Sequence, residues 1–364
     1  MTARARTRTA TSGSWAAWTT PSTWPGPAWG RWRWRARSSP IPRWPRTTRS
    51  WPARKKSRLG EVAVFAPGTA SNIGPGFDCL GIAFTGLGDT VRASRAGQPG
   101  VRVAAVSLER IPTDPLRNTA ALAAAAVLKR AGLEREAGLE LRVEKGLPLA
   151  AGMGGSAASA VAGALAAHEV LKTRLTRIDL LVAAVEAEAV VSGRHADNAA
   201  PCLFGGAVIV AGLDPPEVTP VRVHESLGLV FVTPAYEVAT AEARKVLPAE
   251  VPRADAVGQA ARLALLVLGL ERGDADLVKR AMWDHIAEPR RAPLYPGYPQ
   301  ARTAGLEAGA LGVAVSGAGP TLVALALRET RKAVAAALVD GYAKAGVEAR
   351  AHVAEVDTVG ARVV

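Results

Sequence analysis

The sequence is poor in cysteine and in aromatic residues, and its first 58 residues contain no acid at all. Two cysteines, Cys79 and Cys202, cannot form a disulfide framework and indicate a reducing, cytoplasmic setting. Both lie in glycine- or proline-bearing stretches and read as small buried fillers rather than nucleophiles. No apolar run reaches the length of about 20 residues that a spanning helix needs, which excludes a helical membrane protein. The missing acid is a local matter. Residues 1 to 58 hold 14 Arg or Lys and eight of the nine Trp, leaving 31 basic against 32 acidic residues for the rest of the chain. The formal charge of +13 therefore belongs to the leading segment, and the globular part is close to neutral.

That segment has no period that would bury its Trp rings and no apolar core of a secretory signal. It reads as a tail, either an unstructured extension or the product of a wrongly chosen start codon. A basic arm stacking Trp and Arg on single-stranded bases is the alternative.

Order begins near Leu59. "EVAVFAP", 61 to 67, alternates as a strand, and a Gly/Asn/Pro loop follows it. Helices are predicted over 118–131, 156–171 and 177–191, the last opened by a Thr176/Asp179 capping box. After about residue 225 the pattern restarts with a strand, "LGLVFVTP", then helices near 240–246, 256–270, 299–309 and 329–345. Strands are expected at 207–212, 312–325 and 347–356. Mixed elements with antiparallel opportunities fit two layered α+β domains.

"LPLAAGMGGSAASAVAGALAA", 147 to 167, is the stretch that carries chemistry. Glycines 152, 154 and 155 around Met153 run into Ser156 at a helix start. Unobstructed amides and the positive end of the helix dipole converge there, an arrangement suited to an anion. It lacks the Gly-Lys-Ser/Thr of a Walker loop and the spacing of a dinucleotide fingerprint. A tight strand-to-helix turn with no ligand is the plainer alternative.

Pro148 followed by Gly152-Met153-Gly154-Gly155-Ser156-Ala157-Ala158 resembles the phosphate loop of the GHMP kinases, Pro-x-x-x-Gly-Leu-Gly-Ser-Ser-Ala. Here Met replaces Leu, and Gly155 stands where a Ser is usual. Three further segments follow the same family in order: "PGTASNIGPGFDCLGIAF" (67–84) and "SGRHADNAAPCLFGG" (192–206), both similar to homoserine kinase forms, and "GVAVSGAGPTLVAL" (312–325), similar to the carboxy-terminal glycine motif. The resemblance spans nearly all of the chain after residue 58. It implies a GHMP kinase fold, with an S5-domain-2-like ATP-binding domain over 59–215 and a ferredoxin-like domain over 216–364. It implies a cytoplasmic enzyme, with a homodimer as one assembly open to it, using ATP and Mg²⁺ to phosphorylate the side-chain hydroxyl of L-homoserine, with no nucleic-acid or membrane partner.

The resemblance also implies roles. Pro148, Ala150, Ala151, Gly152, Met153, Gly154, Gly155, Ser156 and Ala157 would line the nucleotide, and Asn118 is a further contact unless it is simply a helix start. Ser156 and Glu188 would bind Mg²⁺ as hard oxygen ligands. Glu186 competes with Glu188, but residues two apart on a helix point roughly 200° apart, so only one can face the site. Asp78 and Asp197 would hold an ammonium group, and Asn72 and Asn198 polar edges. Arg244 and Arg291 would hold a carboxylate through their planar guanidinium forks, with Gly317 nearby in a closing loop. Arg290 is the competing neighbour of Arg291. His195 could be a general base or a hydrogen-bonding support, and Asp197, the other base candidate, goes mainly to substrate holding. The opposing readings are a sister kinase for mevalonate or a sugar, and a non-catalytic sensor of nucleotide or amino acid.

Removing residues 1 to 58 is expected to abolish any retention of the protein on a DNA column at low salt. Retention that survived the truncation would return a nucleic-acid role to the globular part.

Overall fold

The computed structural model describes residues 60–191 and 193–364. The tail expectation for residues 1–58, Leu59 and Ser192 lie outside the described residues. β1 (Glu61–Asn72) and β2 (Gly76–Ala96) form a long antiparallel pair, followed by β3 (Gly100–Val106), α1 (Thr119–Arg130) and β4 (Gly138–Glu144). Then come α2 (Gly155–Leu171), α3 (Arg177–Val191), α4 (Ala199–Phe204), β5 (Ala207–Leu213) and β6 (Pro216–Val221). The second half adds β7 (Leu227–Pro234), α5 (Thr240–Lys245), α6 (Arg253–Arg272), α7 (Ala275–Ala281), α8 (Glu288–Arg291) and α9 (Tyr298–Glu307). It ends with β8 (Gly312–Val315), β9 (Leu322–Leu327), α10 (Arg331–Lys344), β10 (Ala349–Ala354) and β11 (Arg362–Val363). The fold is α+β.

One sheet runs β11-β1-β2-β4-β3, with β5 on β2 and β6 on β5; only the β3–β4 pair is parallel. The other sheet is β10-β7-β9-β8 and wholly antiparallel. The chain passes from the first sheet to the second between Val221 and Leu227, so the division at 215/216 falls inside the β5–β6 hairpin.

The helix ends have local causes. Asn118 caps α1, its Oδ1 accepting from the amides of Ala120 and Ala121 at 3.1 and 3.2 Å. Thr176 and Asp179 exchange bonds reciprocally before α3, at 2.7 Å and 3.2 Å. α1, α2 and α3 are rich in alanine, which lets backbones approach. A Cβ on Gly163 of α2 would lie 2.2 Å from the carbonyl oxygen of Ala120.

Strands β7, β8 and β9 of the second sheet are buried on both faces. Leu229 and Phe231 of β7 face the large core shared with the first sheet, whereas Val230 and Val232 face a smaller core beneath α9 and α10. The rings of Phe84 on β2 and Phe231 on β7 are 4.2 Å apart and join the two layers. Burial on both sides explains why "LGLVFVTP" reads as an unbroken apolar run instead of alternating.

Gly163→Ala is expected to destabilise by about 2 kcal/mol by overpacking α1 against α2, although alanine is the better helix former. Urea unfolding of the variant beside the parent protein measures this.

Candidate active site

A cleft of about 280 Å³ opens between the two layers, and nearly every residue singled out from the sequence lines it. One wall is the glycine loop. Gly152 and Gly154 have φ of 74° and 69°, where side chains are disfavoured. A Cβ on Gly152 would lie 2.3 Å from the carbonyl oxygen of Ser316, and one on Gly154 would lie 2.0 Å from Thr69 Oγ1. Glycine at these two positions thus serves docking of the loop as well as exposure of its amides. The dock is hydrogen-bonded: Thr69 N–H donates to the Met153 carbonyl at 3.1 Å, Thr321 N–H to that of Ala151 at 3.2 Å, and Ser316 Oγ to that of Gly152 at 2.7 Å.

Gly154 is the N-cap of α2, and no side chain caps that end. The amides of the first turn are left to the cleft, where the dipole of a 17-residue helix favours an anion. Pro148, Ala150, Ala151, Gly155, Ser156 and Ala157 also line the cleft. Met153 does not. Its side chain is buried in the core, with its sulfur 3.7 Å from Thr233 Oγ1, so any nucleotide contact by this residue is confined to its backbone.

Ser156 Oγ donates to Glu188 Oε1 at 2.5 Å, and Glu188 is buried. Glu186 is exposed on the opposite side of α3 and pairs with Arg130 on α1. A hydroxyl and a carboxylate side by side on the cleft wall are two hard oxygen donors, a pair whose chemistry fits Mg²⁺. Among the described residues no group of three or more His, Cys, Asp and Glu could hold a metal by itself.

Lys145 was not anticipated. It forms a buried ion pair with Asp89, and its Nζ also donates to the Gly155 carbonyl at 2.7 Å and to Ser159 Oγ at 3.0 Å. Asp89 in turn accepts from the amides of Gly146 and Leu147 and from Ser159. The pair braces the strand entering the glycine loop against the first turn of α2, and Lys145 lines the cleft. Asp89 and Lys145 are 56 residues apart, and no local pattern marks their pairing.

The other end of the cleft is a closed ring of contacts. Asn72 Oδ1 accepts from the Asp78 amide at 3.0 Å, and its Nδ2 donates to the Gly317 carbonyl at 2.8 Å. Arg291 donates from Nη1 to that same carbonyl at 3.0 Å and from Nε to the Ala243 carbonyl at 2.9 Å. Arg244, next along the chain, forks onto both oxygens of Asp78 at 3.0 and 3.3 Å. Anionic and cationic groups assigned to opposite ends of a zwitterion are therefore paired with each other. Arg291 is buried and packs over the Phe77 ring, while Arg290 turns to the carbonyls of His285 and Ile286.

Asn198 spends its carboxamide on β1, accepting from Thr69 Oγ1 at 2.8 Å and donating to Ser71 Oγ at 3.0 Å. Asn118 likewise spends its side chain on its cap and on the Pro112 carbonyl, although it too reaches the cleft. Burial, with a smaller contribution from neighbouring Asp78, pushes the Asp197 carboxyl up to about 6. Burial also lowers the pKa of His195, against the pull of Asp78 whose carboxylate lies 3.8 Å from Nδ1, which favours the neutral imidazole and suits a supporting role. Cys79 is pushed up to about 11, first by burial and then by Asp197 and Asp78, which leaves it inert.

The chain is similar to known proteins over most of its length. Residues 118–206 match the family model for the GHMP kinases N terminal domain, and residues 266–344 match GHMP kinases C terminal. A homoserine kinase of Arabidopsis thaliana is 42% identical over 313 residues, covering 83% of this chain and 84% of that protein. Another from Natronomonas pharaonis is 40% identical, covering 81% and 97%. The crystal structure of homoserine kinase from Cytophaga hutchinsonii superposes with a TM-score of 0.80 at 36% identity, over 86% of this chain and all of that one.

Asp197 supplies a test of the site's cost. Its folded-state pKa is raised, so its contribution to stability is present in acid and is lost as pH rises through about 6. Asp197→Asn is expected to stabilise the protein at pH 8 by up to roughly 3 kcal/mol and to give much less at pH 4.5. Denaturant titrations at the two pH values check the sign.

Proposed function

The chain belongs to the homoserine kinases of the GHMP kinase family, and from that membership we propose how the cleft moves the γ-phosphoryl group of ATP to the side-chain hydroxyl of L-homoserine. The products are ADP and O-phospho-L-homoserine. The observation that carries the reading is the presence, in one cleft, of an uncapped helix start behind a glycine loop and a ring that holds Asp78, Arg244 and Arg291, with Asp197 beside it.

Phosphoryl transfer asks the protein for positioning and charge neutralisation rather than covalent chemistry. The amides of residues 152 to 156 and the α2 dipole hold the terminal phosphates. Lys145, held by Asp89, keeps the first turn of that helix in place. Ser156 and Glu188 would hold Mg²⁺, which would neutralise charge on the phosphates. At the far end Asp78 and Asp197 take the substrate ammonium, and Arg244 and Arg291 its carboxylate. A zwitterion can enter because it replaces the Arg244–Asp78 pair with one partner for each group. Either charge alone would leave a group of the ring uncompensated. A loose transition state needs little prior deprotonation of the hydroxyl, so no strong base is required beside it. The reading includes a cytoplasmic enzyme that works without nucleic acid or membrane, and a homodimer as its assembly. Among the described residues no helix is long and apolar enough to cross a membrane.

A coupled assay of ADP release with L-homoserine, L-serine and mevalonate side by side tests the assignment. L-homoserine is expected to give a kcat/KM at least about 100-fold above the others, as a site built around paired polar groups allows. Glu188→Gln is expected to cut kcat by about 100-fold or more; unchanged turnover would favour a sensor.

A further inference from the structure

The acceptor end of the cleft depends on a turn of unusual conformation. Asn72, Ile73 and Gly74 follow one another with φ of 72°, 47° and 74°, and Asp78 has φ of 57°. Three of these residues are non-glycine, and two of them, Asn72 and Asp78, carry polar contacts of the ring. Such a run persists only where surroundings over-determine it. Part of the constraint is the ring itself, and part comes from behind the turn.

Gln259 lies on the buried stripe of α6 with Leu266 and Leu270, the one polar side chain there. Its Nε2 donates to the Pro75 carbonyl and to Asp284 Oδ1, each at 3.0 Å, and its Oε1 accepts from the His285 amide at 2.8 Å. Asp284, also buried, accepts from the amides of Ile286 and Ala287 at 2.7 and 3.0 Å, and through Oδ2 from that of Glu288 at 2.8 Å. Those three amides lead directly into α8, the short helix that ends in Arg291. A cavity of only about 10 Å³, the room of one water, separates the turn from α8, lined among others by Asn72, Asp284 and Arg291.

We propose that Gln259 and Asp284 are positioning residues that clamp the β1–β2 turn to the start of α8. The clamp fixes the separation between Asp78 and Arg291, and with it the spacing of ammonium and carboxylate that the acceptor must have. The inference rests on the acceptor site given above and deepens it. Neither residue lines the cleft, so neither touches substrate.

The test compares Gln259→Leu, Gln259→Glu and Leu266→Ala in the full-length enzyme, measuring KM for L-homoserine and for ATP, melting temperature, and calorimetric binding of L-homoserine without nucleotide. Both Gln259 variants are expected to raise KM and Kd for L-homoserine about 10-fold or more, with KM for ATP within about twofold. Leu266→Ala, a cavity on the same helix stripe, is expected to lower the melting temperature and leave the ratio of the two KM values unchanged. Gln259→Glu keeps the side chain's size and removes the donors, so it serves if the leucine variant does not fold. Equal changes in both KM values, or none, in the folded Gln259 variants would overturn the clamp. Asp78→Asn and Arg291→Lys run in parallel: if they leave L-homoserine binding unaffected, the acceptor-site reading itself fails.

Discussion

Two absent Cβ atoms, at Gly152 and Gly154, let three parts of the molecule meet at one point. Strand β1 reaches in with Thr69, the loop between β8 and β9 with Ser316, and the start of α2 follows directly. A methyl group at either glycine would force backbone or a hydroxyl to retreat, and the polar contacts that close the dock would open with it. The uncapped amides of α2 then have a fixed direction, and the nucleotide and acceptor ends of the cleft a fixed relation. Most of what the site does is therefore decided by steric permission rather than by attraction.

Attraction matters just behind the loop. A buried ion pair such as Lys145–Asp89 adds little to stability on balance, because desolvating both charges offsets most of their mutual gain. What it contributes is geometry. Its remaining hydrogen-bonding capacity goes to the Gly155 carbonyl, Ser159 and the amides of Gly146 and Leu147, so the charges stand in a satisfied network around the helix start. Removing one partner would leave the other as an uncompensated charge beneath a phosphate site. The ring of Asn72, Asp78, Arg244, Arg291 and Gly317 follows the same rule at the other end.

Short-range signals carried far in the sequence. Asn118 and Thr176 with Asp179 placed two helix starts within about a residue, because caps act through bonds two or three positions away, and the glycine run before Ser156 placed a third. The glycine loop was legible from its local motif, whereas helix geometry said only that one of Glu186 and Glu188 could face the cleft, and the family resemblance put Glu188 first. Other features were hidden. The stretch after Pro67 reads as a loop, yet β1 and β2 stay paired to Asn72 and Gly76, since left-handed residues confine the reversal to three positions. α6 begins earlier than its apolar pattern, and α7 and β6 were not anticipated at all. Lys145–Asp89 and Gln259–Pro75 join residues 56 and 184 apart, and each looks ordinary among its neighbours.

Strands β8 and β9, apolar on both faces, have a further consequence. Where one side of a strand is wet, a slip by a single residue exposes grease and is resisted by water; here Val323 and Leu325 could trade places with Leu322, Ala324 and Ala326 at small solvation cost. Alignment of β8 with β9 must be imposed at their connection, where the Thr321 amide and the Ser316 hydroxyl are tied to Ala151 and Gly152. The fastening that shapes the phosphate loop is thus also the ratchet pin that keeps this interior hairpin in step.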